Sequence, residues 1–239
     1  MSKYIYVEFI ISWGKIRSNI LIEKILQQVF PTTCGMCGKL YKESICNKCK
    51  AKIDKKIICK MQYKYLGNEF VKYIYLFKYE EILRKIMLLY KFKEKVYLYE
   101  FFVKIILKNK KLYKFLEKYD IIIPVPIHCK KTKYRGFNQC ELIAKELAKN
   151  VEKLQYRNDI LIKIKNNLRQ SSLKAEARKD NVKNVYMIED LVKNKVEMQN
   201  KNILVFDDIC TTGNTISECI RTLKKLKPKN IGVLTIFKD

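Results

Sequence analysis

The chain has 239 residues, 48% hydrophobic and 12% aromatic, which excludes global disorder and leaves room for one or two packed domains. Seven Gly and four Pro exclude collagen-like and low-complexity classes. The formal charge of +26 favours anionic partners, yet only seven of the 50 basic residues are Arg and sixteen residues are Asn, a bias that an AT-rich genome writes on any protein.

No run of about 18 uncharged apolar residues occurs, so no spanning helix is expected. Glu8 interrupts the first apolar run, which reads as structure rather than as a secretory leader. The expected location is therefore cytoplasmic. Ile16, Ile20, Leu21, Ile25, Leu26 and Val29 form a helical stripe that stops before Pro31, giving an N-terminal helical segment over 1–31.

Residues 32–60 carry Cys34-x-x-Cys37 and Cys46-x-x-Cys49, eight residues apart. Two such knuckles supply four soft thiolates for a tetrahedral, closed, structural Zn²⁺. Redox pairs and disulfides are the alternatives. Cys59 has no partner three residues on, because position 62 is Gln. Cys129, Cys140, Cys210 and Cys219 are expected to be small buried hydrophobes.

Residues 61–118 are rich in Tyr and Lys with helical periods at Ile82, Ile86, Leu89, Phe101 and Ile105. They read as a connecting or hood region, its aromatics mostly core. The texture changes at Asp120. Ile121-Ile122-Ile123 is a buried strand closed by Pro124-Val125-Pro126. A helix over 138–149, a strand Ile203–Phe206, a helix over 214–227 and a strand Ile231–Phe237 follow. Strand–helix alternation of this kind builds parallel βαβ units, so 119–239 is an α/β domain whose ligands bind beyond the carboxyl ends of its strands.

The segment 203–215 is the most informative. An apolar strand delivers Asp207 and Asp208 to its carboxyl end, and Thr211, Thr212, Gly213, Asn214 and Thr215 then open a helix. Hydroxyls, a Gly and free helix-start N–H groups cradle an anion, while the acids suit sugar hydroxyls or a divalent ion. Together they describe a ribose 5-phosphate site. The alternative is an ordinary capped helix with surface acids.

With this pattern the chain resembles the type I phosphoribosyltransferases, which bind 5-phosphoribosyl-1-diphosphate (PRPP). The cysteine knuckles, Tyr75-Leu-Phe-Lys-Tyr79, Pro124-Val-Pro-Ile-His128, Arg135-Gly-Phe-Asn-Gln139 and the Asp207-Asp208 loop, in that order, resemble the ComF family, associated with competence for DNA uptake. The resemblance implies a type I phosphoribosyltransferase-like parallel sheet flanked by helices, with a small N-terminal zinc ribbon. It implies PRPP held by Asp207, Asp208 and Thr211 to Thr215, with Mg²⁺, and a pyrophosphate loop of Val125, Pro126, Ile127 and His128. It makes Arg135 and Arg178 candidate catalytic contacts for the pyrophosphate. His128, the sole histidine, is a candidate acid–base group or a structural one. The family's Arg and Thr upstream of Gln170 are here Lys163 and Asn167, and Lys keeps the charge without the planar fork. The implied function is PRPP binding and phosphoribosyl transfer linked to DNA uptake. The alternatives are a PRPP sensor, or an accessory protein that handles single-stranded DNA or meets competence proteins through the zinc ribbon and basic surface.

Overall fold

The computed structural model describes residues 33–92, 95–166 and 184–239. The stripe over 16–30 lies outside them. Helix α1 (Asn47–Asp54) ends the cysteine-rich segment, and strands β1 (Lys60–Leu66) and β2 (Glu69–Lys78) follow. Three helices come next: α2 (Glu81–Phe92), α3 (Leu98–Lys108) and α4 (Lys110–Leu116). Then come β3 (Ile121–Pro124), α5 (Cys129–Arg135), α6 (Gln139–Asn150), β4 (Gln155–Tyr156) and β5 (Leu161–Lys163). The chain closes with β6 (Tyr186–Ile188), α7 (Leu191–Met198), β7 (Asn202–Cys210), α8 (Asn214–Leu223), a 3₁₀ turn (Lys224–Leu226) and β8 (Asn230–Lys238).

Six strands form one sheet in the order β1-β2-β8-β7-β3-β4, parallel throughout except for the antiparallel β1–β2 edge. Strands β5 and β6 pair separately as an antiparallel ribbon. The strand period divides the core. Ile122, Leu204, Phe206 and Leu234 face α2, α3, α4 and α6, whereas Ile121, Ile123, Ile203, Val205 and Val233 share the opposite face with Ile216 and Ile220 of α8. Burial on both faces explains why β3 and β7 read as continuous apolar runs. The expected α/β class, a mostly parallel sheet flanked by helices, is what the chain forms.

Residues 61–118 are mixed: the helical periods from Ile82 onward fall in α2 and α3, whereas the stretch before them forms two strands. Gly67 (φ 61°) and Asn68 (φ 69°) make a two-residue turn, with Leu66 paired to Glu69, and fold β1 back on β2. Two consecutive positive-φ residues match the right-handed twist of a hairpin. Strand β2 then pairs with β8, so the sheet runs on both sides of residue 119.

Candidate functional site

Strand β7 is longer than its apolar run: it continues through Asp207 and Asp208 to Cys210. The pairing of Pro124 with Phe206 brings residues 125–128 out beside the two acids, at the carboxyl edge of the sheet. Both acids are buried, Asp207 8% and Asp208 4% exposed, so neither is a surface acid.

The chain's own donors hold them there. Asp208 Oδ2 accepts from Lys91 Nζ at 2.6 Å and from Gln139 Nε2 at 2.7 Å. Asp207 Oδ1 accepts from the Asp208 backbone N–H at 2.8 Å and from Cys140 Sγ at 3.5 Å. Burial first, and then the adjacent Asp208 charge, push the Asp207 carboxyl up to about 7. Burial, followed by the two carboxylates, holds the Cys140 thiol well above its ordinary value, so it remains a donor. Burial disfavours the Lys91 cation, but Asp208 outweighs it and keeps the ammonium charged.

The Arg135–Gln139 motif is the frame of this site. Gly136 takes φ 86° and ends α5, a conformation that glycine adopts without Cβ strain. Asn138 caps α6 by accepting from the Cys140 N–H, and its Nδ2 donates to the Val125 carbonyl at 3.1 Å, fixing the 125–128 loop. Phe137 packs on Tyr90 at 5.8 Å between ring centroids. Arg135 Nη1 donates to Gln139 Oε1, so the Arg135 side chain reaches the acid pair through Gln139. His128 caps α5: its Nδ1 accepts from the Lys130 N–H at 3.2 Å. Arg178, with Gln170 and Asn167, lies outside the described residues.

The 211–215 loop opens α8. Thr211 and Thr212 are exposed, Gly213 is buried with φ 88°, and α8 has no acid in its first turn. Lys64 Nζ, from β1, lies 3.7 Å from Cys210 Sγ, and Lys238 Nζ donates to the Thr211 carbonyl at 3.4 Å. Two ammonium groups thus flank a helix start whose N–H groups attract anions. Lys163 stands 5.4 Å over the Tyr186 ring, and burial, then Lys131, depress it to about 8.

The second cluster is at the N-terminal end of the described chain. The sulfurs of Cys34, Cys37, Cys46 and Cys49 all lie within 4.8 Å of one another. The Cys46 N–H donates to Cys34 Sγ at 3.3 Å. Burial opposes ionisation of Cys34, but backbone N–H groups of Cys46, Cys37 and Met36 outweigh it and bring the thiol down to about 6. Four convergent sulfurs, one already anionic at neutral pH, are a fitting donor set for Zn²⁺. All nine cysteines are free. Cys59, Cys140, Cys210 and Cys219 are buried, whereas Cys129 is exposed: α5 buries no residue, so there is no core beneath it.

Sequence reasoning missed Lys91, Gln139, Cys140 and Lys64 as site residues. Gln139 and Cys140 had a signal, since they sit in or beside the Arg135-Gly-Phe-Asn-Gln139 motif. Lys91 and Lys64 had none, being single lysines in lysine-rich stretches.

Residues 138–239 match the phosphoribosyl transferase domain. That domain begins at the Asn138 cap and includes the acid pair, Cys140 and the loop, but neither Lys91 nor the four clustered cysteines Cys34, Cys37, Cys46 and Cys49. Competence protein F of Haemophilus influenzae is 32% identical over 114 residues, 48% of each chain. The DNA utilization protein YhgH of Shigella flexneri is 30% identical over 104 residues, and that of Escherichia coli K12 29%, in both cases 44% of this chain and 43% of the relative. The chain thus spans about half the length of the curated relatives it matches, and over that shared half the ComF resemblance is borne out. A purine phosphoribosyltransferase from Pyrococcus horikoshii aligns in three dimensions over 54% of this chain and 77% of its own, with 17% identity and a TM-score of 0.31.

Among the described residues no helix is long and apolar enough to cross a membrane.

Proposed function

We propose that this protein binds PRPP or a related ribose 5-phosphate at the carboxyl end of β7. The observation that supports the reading is one continuous strand–loop–helix unit. In it Asp207 and Asp208 are fixed within hydrogen-bond networks, and Thr211 to Thr215 lead directly into α8. The acids take the ribose hydroxyls, and the loop, with Lys64 and Lys238 beside it, takes the 5-phosphate. Val125 to His128 and Arg135 would take the diphosphate end of the ligand. Phosphoribosyl transfer would form a bond from an acceptor nitrogen to the anomeric carbon as the carbon–oxygen bond breaks. The diphosphate would leave with that electron pair, and the nitrogen would lose its proton to solvent. Arg135 would meet the departing charge, and Arg178 keeps its assignment as a second contact. Mg²⁺ would enter with the diphosphate and neutralise it. Donors of this chain already stand on Asp207 Oδ1 and Asp208 Oδ2, so this reading assigns the Mg²⁺ to the diphosphate and leaves the remaining carboxylate oxygens to the sugar.

Calorimetric titration of Mg²⁺-PRPP into the zinc-loaded protein tests the reading. Saturable binding that is lost in Asp207→Asn/Asp208→Asn is expected. Absence of binding by the wild type overturns it.

A second reading, contact with single-stranded DNA in uptake, draws on the names of the relatives and on one surface. Tyr63, Tyr65 and Phe70 are 71%, 58% and 76% exposed on one face of the β1–β2 hairpin, with Lys72 Nζ 6.0 Å from the Tyr63 ring centre. Exposed rings interleaved with cations stack bases and track a backbone. Anisotropy with a labelled oligonucleotide should weaken in Tyr63→Ala/Phe70→Ala more than added salt alone explains. An unchanged affinity removes the hairpin from this role.

A further inference from the structure

Lys91 lies outside the matched 138–239 domain, yet its side chain is only 16% exposed and ends on Asp208. Its place is over-determined. Tyr90, its neighbour on α2, is fully buried, donates from Oη to the Gln139 carbonyl at 2.8 Å, and stacks beside Phe137 and Phe102. The end of α2 is thereby locked against the start of α6, which fixes the backbone from which Lys91 reaches Asp208.

Donor atoms of Cys140, Asp207 and Asp208 all lie within 4.8 Å of one another, the arrangement of a three-ligand divalent site. In this chain a cation of its own stands beside that group: the Lys91 ammonium, 2.6 Å from Asp208 Oδ2. Two adjacent buried carboxylates repel each other, and a fixed positive charge beside them lowers that cost. The remaining carboxylate oxygens are then oriented as acceptors.

We propose that Lys91 is a positioning residue of the sugar site, an ammonium standing where a divalent ion would otherwise hold Asp207 and Asp208 for the hydroxyls of a pentose phosphate. The inference rests on the phosphoribosyl reading of that site and adds to it that the pentose part of the ligand is held without metal. Lys91 serves the sugar end only; the phosphate end is carried by the 211–215 loop. A segment that precedes the domain therefore completes it.

The test uses the full, zinc-loaded chain in buffers freed of other divalent ions, with ribose 5-phosphate as probe and inorganic phosphate as the loop-only control. The wild type should bind ribose 5-phosphate equally with and without added Mg²⁺. Lys91→Gln should weaken ribose 5-phosphate by about tenfold or more, the worth of one hydrogen-bonded charge, and leave inorganic phosphate unchanged. Lys91→Arg should restore most of the affinity. Equal loss for both ligands, or no loss, overturns the proposal. So does ribose 5-phosphate binding that requires Mg²⁺, an outcome that leaves the phosphoribosyl reading standing and is read on the wild type even if Lys91→Gln does not fold. No binding of ribose 5-phosphate by the wild type overturns both.

Discussion

Leu66, the last residue of β1, lies against Gly213 at the start of α8: a Cβ placed on Gly213 would stand 2.7 Å from Leu66 Cδ2. The edge hairpin is thus seated on the 211–215 loop. Two costs converge on Gly213→Ala. At φ 88° a side chain costs about 1–3 kcal/mol, and the overlap with Leu66 adds to it. The expected outcome is a lower unfolding midpoint and a ribose 5-phosphate affinity weaker by about an order of magnitude, since the loop must shift. Adding Leu66→Ala should recover the overlap part and not the backbone part. A double-mutant cycle in urea would show this as a coupling of about 0.5–3 kcal/mol, and additivity would contradict the contact.

Gly232 in β8 makes a closer approach. A Cβ there would meet Tyr119 Oη at 1.9 Å and Cζ at 2.3 Å, and the Tyr119 ring packs on Phe115 at 5.0 Å. Neither the backbone of a central strand nor a ring wedged against a helix can yield cheaply. Gly232→Ala should destabilise by about 1–3 kcal/mol through overpacking. Chemical denaturation reads it directly, and a change within error of zero would mean that Tyr119 has another place to go.

These two glycines also mark what was legible in the sequence. The strand at 203, the acids and the Thr-rich loop were readable because the chemistry is contiguous and one strand–turn–helix unit carries all of it. The parallel core was readable because strands buried on both faces are continuously apolar. The hairpin over 60–78 was not read, although Gly67-Asn68 is a hairpin signal, because Tyr and Lys suit an exposed strand face and a helix equally well. Lys91 was illegible for a different reason. Its meaning depends on Asp208, far away in the chain, and only the packing of Tyr90 against Phe137 brings the two together.

Zinc removal should loosen the N-terminal module first and then the face of the sheet it covers. Cys34, Cys49 and Ile53 belong to the same buried cluster as Leu98 and Phe102 of α3, and a Cβ at Gly35 would stand 2.4 Å from Leu98 Cδ2. A metal that holds the four sulfurs therefore also holds this packing. The expected result is one zinc per chain by a colorimetric release assay, and a lower melting temperature after chelation or in Cys46→Ser. Zinc affinity should fall as pH falls, because protons compete for the thiolates. A melting temperature indifferent to chelation would contradict a structural metal.

Asp207 should make stability depend on pH in an unusual direction for a carboxylate. Its folded value, about 7, lies above the ordinary 3.8, so the native state binds a proton that the unfolded state releases. The favourable contribution is complete below about pH 4 and is lost as pH rises through about 7. With a shift of about three units at 1.36 kcal/mol each, its ceiling is about 4 kcal/mol. Asp207→Asn removes the proton from the account. The variant should show a flatter stability profile between pH 4 and 8 than the wild type, with its largest relative gain at the alkaline end. Ligand binding should run the other way, strengthening through pH 7 as Asp207 ionises to accept a sugar hydroxyl. Urea midpoints at half-unit pH steps, taken beside ribose 5-phosphate titrations at the same pH values, check both halves. Parallel profiles for the two proteins would mean that Asp207 is ionised throughout, with Lys91 and Cys140 neutralising more of its charge than the raised value implies.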